Sequence, residues 1–172
     1  MLRALAPAGN FYQHVFKNFC AQRVDLAAIG KAGQAAALRR FIDLLDAEMP
    51  DGFKAPQGTL SVALFNDKDL AKIHADFLNK PDETDVITFE GDPDDGFAGE
   101  VCASAERAFK CAANYGSTPS RELCLYVAHG YLHLAGINDI EPEDAAVMRR
   151  GEALALEILD RRFKKPIFKY ND

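Results

Sequence analysis

His129-Gly-Tyr-Leu-His133-Leu-Ala-Gly-Ile-Asn-Asp139 is the stretch on which the reading of this chain turns. Histidines four residues apart on a helix project from one face, near enough for both imidazoles to reach one metal ion. The 172 residues contain four histidines, and two of them stand here. Residues 121–135 carry Leu123, Val127, Leu132 and Leu134, with Tyr126 and Tyr131, on most sides of such a helix. A helix apolar all round is a buried one. Buried imidazoles need partners for their ring nitrogens. A divalent cation satisfies one nitrogen of each ring. The other is expected to donate to a carbonyl or carboxylate that the sequence does not identify.

Gly136 suits the left-handed position that ends a helix, so the chain can double back toward Asp139. Two imidazoles and a carboxylate make a three-ligand zinc site with one open position, the pattern of catalytic zinc. Water in that position has its pKa lowered to about 7, so the expected reactive group is this water and no side chain is assigned as acid or base. Asn138, Glu141 and Asp144 are alternative third ligands on spacing alone. Two core histidines bonded only to backbone are the metal-free alternative. Zinc proteases of the H-E-x-x-H type carry a glutamate base after the first histidine. Gly130 stands there in this chain, so that mechanism is not supported.

Outward from the motif, the pattern alternates between strands and helices. Residues 24–29 read as a first strand. Residues 34–49 read as an amphipathic helix with Leu38, Phe41, Ile42, Leu45 and Met49 on one stripe, stopped by Pro50-Asp-Gly. Residues 59–65 read as a strand closed by Asn66-Asp67, with Asp67 capping a helix that runs to about Phe77. Residues 79–83 read as a loop. β-Branched Val86, Ile87 and Thr88 mark a strand over 85–90. The acidic turn 91–96 joins it to a strand over 97–103, which predicts antiparallel pairing. Ser104 is placed to cap a helix to about Tyr115, ended by Gly116. Thr118 and Pro119 open the histidine helix, which is expected to end at Gly136, and a last helix spans about 142–163. This order predicts an α+β fold: helices packed on a small mixed β-sheet, zinc-hydrolase-like.

Composition sets the outer bounds. Hydrophobic residues make up 48% and charged residues 27%, as in ordinary globular proteins. The length suits a single domain over 1–172, with residues 1–22 a candidate N-terminal extension. No apolar run approaches the ~20 residues that span a bilayer. The first residues lack a signal-peptide core, so a cytoplasmic location and no membrane partner are expected. Four cysteines without a C-x-x-C pair read as reduced, mostly buried thiols. A formal net charge of −6 argues against a general nucleic-acid coat while leaving room for a local basic groove. Arg149, Arg150, Arg161, Arg162, Lys164, Lys165 and Lys169 gather toward the C-terminus. They read first as the wet face and end of the last helix, where they favour its dipole, and second as a surface facing RNA. His14 and His74 stand alone and read as surface or satisfied residues. Asp92-Pro-Asp-Asp reads as a solvated turn rather than a hard-cation loop.

The motif resembles the signature H-G-x-L-H-L-x-G-Y-D-H of the YbeY family. Three further blocks carry the likeness. Phe77-Leu-Asn-Lys-Pro-Asp-Glu-Thr-Asp-Val-Ile-Thr-Phe89 resembles the family's Asn-containing loop and T-D-V-[LI]-[ST]-F. Gly99-Glu-Val-Cys-Ala-Ser104 resembles its G-[DE]-I-x-I-S strand, and Arg121-Glu-Leu the lead-in to the histidine helix. Together the blocks cover most of residues 58–160, while the first fifty residues match poorly. The resemblance implies a zinc-dependent, single-strand-specific endoribonuclease acting in the cytoplasm. It implies one Zn2+ per chain held by His129, His133 and Asp139. The implied partners are single-stranded RNA, ribosomal RNA and the small ribosomal subunit, with roles in small-subunit rRNA maturation and ribosome quality control. Two positions depart from the family pattern. Asp139 replaces the third histidine, and an aspartate still binds zinc. Leu78 stands where the family has an arginine, and only Lys80 lies nearby as a cation. A ribosome-biogenesis binding factor with a structural metal is therefore the competing reading, and a peptide-cleaving metallohydrolase a third.

Overall fold

A computed structural model describes residues 3–4 and 32–170. The expected strand over 24–29, with His14 and Cys20, lies outside the described residues. The described elements are β1 (Arg3–Ala4), α1 (Ala32–Glu48), β2 (Thr59–Phe65), α2 (Asp67–Leu78), β3 (Val86–Glu90), β4 (Phe97–Ser104), α3 (Ala105–Ala112), α4 (Pro119–Leu134) and α5 (Pro142–Arg162). The strands form one mixed sheet in the order β1-β3-β4-β2. β3 and β4 pair antiparallel, as the short acidic turn predicts, while β2–β4 and β1–β3 are parallel. The architecture is α+β, helices on a small mixed sheet, as expected.

Alternation along the strands divides the core in two. Val86, Val101 and Ala103 join α4 in the larger cluster, which also takes Phe41 and Leu45 from α1, Met49 just after it, and Met148 and Ala155 from α5. Ile87, Phe89 and Cys102 face the other way, onto Leu70 and Ile73 of α2. Side chains in a strand point to opposite faces in turn, so a two-sided sheet needs apolar residues on both. β4 is accordingly buried from Ala98 to Ser104.

Several local expectations shift by a residue. Asn66, not Asp67, caps α2: its side chain accepts from the Asp69 N–H at 2.8 Å. Asn66 holds the extended backbone that a capping residue needs, and this releases Asp67 for a buried role. Asp85 precedes β3 and bonds the Val86 N–H through its carboxylate at 3.0 Å. α3 ends at Ala112, and a 3-10 turn carries the chain on to Gly116. Ser104 and Thr118 cap α3 and α4 as expected. α4 stops at Leu134, two residues before Gly136, whose φ of +92° turns the chain back.

α4 is the element that positions the site. Thirteen of its sixteen residues are buried, so its polar groups cannot rely on bulk water. Gly130 lies against the sheet: a Cβ there would stand 2.5 Å from Val101 Cγ1 and 3.2 Å from Val86 Cγ2. Its missing side chain lets α4 lie directly on β3 and β4. The residue that stands in place of the protease glutamate therefore has a packing role of its own.

Candidate metal centre

His129 and His133 sit one turn apart on α4, with ring centroids 4.5 Å apart and planes at 80°. Gly136 reverses the chain, and Asp139 comes back to face both rings. Its Oδ2 lies 3.5 Å from His129 Nε2, and its Oδ1 lies 4.0 Å from His133 Nε2. One donor atom from each residue falls within a span of 4.8 Å. Among the described residues this is the one group of its kind. Glu141 and Asp144 do not join it.

The far side of each ring is held as the chemistry requires. His129 Nδ1 lies 2.6 Å from Glu152 Oε1, and His133 Nδ1 lies 2.9 Å from the Ile137 carbonyl. The carbonyl comes from the local turn. The glutamate comes from α5, and sequence reasoning missed it. The signal available was slight: a carboxylate beside the buried stripe of Met148, Gly151 and Ala155.

Electrostatics favour a neutral His133. Burial pushes His133 below its ordinary pKa, and the adjacent His129 adds to this. The Ile137 carbonyl and Asp139 pull the other way without reversing it. Neutral imidazole is the metal-binding form.

The donor set fits a divalent ion. His129 Nε2 and Asp139 Oδ1 are buried and have no hydrogen-bond partner. Such groups ordinarily find one, since an unmet buried polar atom costs about 1–3 kcal/mol. Two ligands each ~2.1 Å from a tetrahedral ion stand ~3.4 Å apart, close to the observed 3.5 Å.

Other sequence candidates lie elsewhere. His74 is buried and bonded through Nδ1 to the Asp82 carbonyl at 2.8 Å, a satisfied histidine. The Asp92–Asp95 turn is exposed, its Asp92 carboxylate taken by the Asp94 N–H. Arg161 and Arg162 both pair with Glu48, tying α5 to α1. Leu78 packs on the α2-side apolar cluster, and Lys80 is exposed. Cys111 and Cys124 are free thiols, with Cys124 raised to about 12 by burial.

Fold and site together define a class: an α+β protein with two imidazoles and a carboxylate in the arrangement that metal-centred hydrolases use. The comparisons make it particular. The family model described as Endoribonuclease YbeY matches residues 27–160, so the chain belongs to the YbeY family. The match begins well ahead of residue 58 and takes in α1. The Endoribonuclease YbeY of Rhodopirellula baltica is 36% identical over 106 residues, 60% of this chain and 55% of the relative. The chain thus spans about half the length of that relative. The Carboxydothermus hydrogenoformans protein of the same name is 34% identical over 104 residues, 59% of this chain and 73% of its own. The Protochlamydia amoebophila one is 30% identical over 134 residues, 74% and 89% respectively. The solution structure of TM1509 from Thermotoga maritima is similar in fold, with a TM-score of 0.50 at 19% identity over 92% of this chain and 89% of that one.

Proposed function

We propose that this chain is a metal-dependent, single-strand-specific endoribonuclease that processes ribosomal RNA, with His129, His133 and Asp139 holding one zinc ion. The observation that carries the reading is the pair of buried, unpartnered atoms, His129 Nε2 and Asp139 Oδ1, set beside His133 within the family's signature. The same reading takes residues 1–172 as one catalytic domain with residues 1–22 as an extension. It gives the chain a cytoplasmic location, the small ribosomal subunit as partner, and roles in small-subunit rRNA maturation and ribosome quality control. Among the described residues no helix is long and apolar enough to cross a membrane.

When bound, the ion supplies Lewis-acid chemistry toward a phosphodiester and makes water more acidic. The chain's own residues prepare for this. Burial keeps His133 unprotonated, Asp139 adds negative charge opposite both rings, and the apolar flanks of α4 exclude bulk water. The nucleophile is open to experiment: 5′-phosphate products identify water, and cyclic or 2′(3′)-phosphate products identify the RNA 2′-hydroxyl.

One observation favours the second reading, a binding factor with a structural metal. Leu78, at the family's arginine position, packs partly buried against the α2-side core and offers phosphate no guanidinium. Cleavage of single-stranded RNA by the wild type, compared with His133→Ala, separates the two. The endoribonuclease reading expects cleavage that His133→Ala abolishes while the circular-dichroism spectrum is retained. Equal RNA binding with no cleavage by either protein favours the binding factor.

A further inference from the structure

α5 supplies none of the three metal-facing groups, yet it reaches the centre through Glu152. The contact from Glu152 Oε1 to His129 Nδ1 is 2.6 Å, with the glutamate side chain 21% exposed and the imidazole 11%. An ionised carboxylate only accepts hydrogen bonds, so the proton in this contact belongs to Nδ1. A neutral imidazole carries one N–H, which leaves Nε2 bare. An imidazolium would instead aim its second N–H at Asp139 Oδ2, 3.5 Å away, a span that suits two ligands of one ion better than a hydrogen bond. We infer that Glu152 is a positioning residue: it fixes His129 as the Nδ1–H tautomer and turns the Nε2 lone pair toward Asp139 and His133. The inference rests on the metal reading above and deepens it.

Packing explains how a residue 23 positions away arrives there. Gly151, the residue before Glu152, faces α4. A Cβ at Gly151 would lie 2.8 Å from Leu132 Cδ2 and 2.8 Å from Phe53 Cδ1. Without a side chain there, α5 settles against Leu132, which lies between the two histidines in sequence. Met148 and Ala155 extend the same buried stripe. Glu152 follows at its margin, where a carboxylate keeps part of its hydration and still touches the ring.

The two rings are held unequally. His133 leans on a carbonyl four residues away in its own turn, while His129 leans on a charge from another helix. Removing Glu152 should therefore affect the centre through His129 alone. Outer partners of metal-bound histidines are worth about 10–100-fold in metal affinity.

The test uses the full chain and zinc alone, with no RNA. Zinc affinity is measured by competition with a chromophoric chelator for the wild type, Glu152→Ala, Glu152→Gln and the control Glu157→Ala, an exposed residue on the same helix. Glu152→Ala is expected to bind zinc about 10–100-fold more weakly. Glu152→Gln is expected to fall between, since its amide oxygen still accepts the Nδ1–H but brings no charge. Glu157→Ala should match the wild type. Nitrogen-15 NMR of the zinc-free wild type reports the tautomer directly, without any variant, and is expected to show Nε2 of His129 unprotonated. Zinc affinity within twofold of wild type in a folded Glu152→Ala protein overturns the inference, as does a proton on Nε2. A wild type that takes up no zinc overturns the metal reading and the affinity role of Glu152 together, while the spectrum still decides the tautomer. Failure of RNA cleavage touches neither measurement.

Discussion

Two of the polar clusters among the described residues, one at Asp67 and one at His129, differ in how far the protein satisfies them. The first is at Asp67, at the start of α2. Its Oδ1 receives the Ser104 hydroxyl at 2.5 Å, and its Oδ2 receives Lys110 Nζ at 3.0 Å. Arg107 Nε lies 3.6 Å away, and the Asp67 N–H is taken by Glu106 Oε2. Both carboxylate oxygens are matched by protein donors. The second cluster, at His129, His133 and Asp139, has its outer nitrogens matched, while His129 Nε2 and Asp139 Oδ1 have no hydrogen-bond partner. Burial of polar groups costs free energy in both places. The first cluster recovers it internally by joining the N-termini of α2 and α3. The second leaves part of the cost standing, which fits a partner arriving from outside.

The sharpest way to break this contrast is to remove a member of the second cluster. Asp139→Ala should reduce zinc affinity by more than the ~100-fold that loss of an outer partner costs, and cut RNA cleavage in parallel. Its effect on the zinc-free melting temperature should be small, because Asp139 has no hydrogen-bonded partner at Oδ1 to strand. Zinc titration, a cleavage assay and calorimetry check the three quantities. Unchanged zinc affinity would collapse the distinction between the clusters.

Adding zinc should stabilise the fold by about 2.7 kcal/mol at a concentration 100 times Kd, and excess EDTA should reverse it. Asp139→Ala should lose that increment, and Asp67→Ala should keep it. Thermal unfolding with and without the ion measures both.

Two stability changes sharpen the comparison from the packing side. Gly130→Ala drives a methyl group into Val101 and Val86, which should cost about 1–3 kcal/mol and displace both histidines with the helix. Zinc affinity and urea stability should fall together there. Asp67→Ala strands the buried Ser104 hydroxyl and should cost about 1–3 kcal/mol, with zinc affinity unchanged. Coupling in the first variant and its absence in the second is the expected pair of results.

The smallest effects lie in the pH dependence of the zinc-free protein. Burial lowers the folded pKa of His133, so its unfolded form binds the proton more readily. The associated stability is complete above the unfolded value of about 6.5 and declines as pH falls through the lower folded value. At Asp67 burial raises the pKa. The bonds from Ser104 and Lys110, with the Lys110 and Arg107 charges, outweigh it and hold the carboxyl below its usual range. Its contribution is present above the unfolded value of about 3.9 and is lost on further acidification. Denaturation midpoints from pH 8 downward should therefore weaken in two stages, the first below neutrality and the second in acid. Saturating zinc should delay the first stage, because protons compete with the metal for the ring nitrogens.

Much of the site was legible because it is local. A spacing of four residues puts His129 and His133 on one face in any α-helix, and Gly136 marks the reversal that returns Asp139. Thr118, Ser104 and the alternation in β2, β3 and β4 could be read for the same reason. The cap of α2 was misassigned by one residue because Asn66 and Asp67 are both good capping side chains, and only the backbone conformation chooses between them.

The sequence by itself determined the pair of imidazoles, the returning carboxylate, the elements that carry them and the α+β class, since these follow from intervals of a few residues. Tertiary structure alone decided that Glu152 rather than a backbone group holds His129, that Asp67 is spent on Ser104 and Lys110, that Leu78 packs against the core, and that β2 runs parallel to β4. Those outcomes depend on how closely α5 and α4 pack and on which strands meet across the sheet. Contacts between residues tens of positions apart leave no period in the chain, because their geometry is set by side-chain volume at the interface, here by the missing side chains of Gly130 and Gly151.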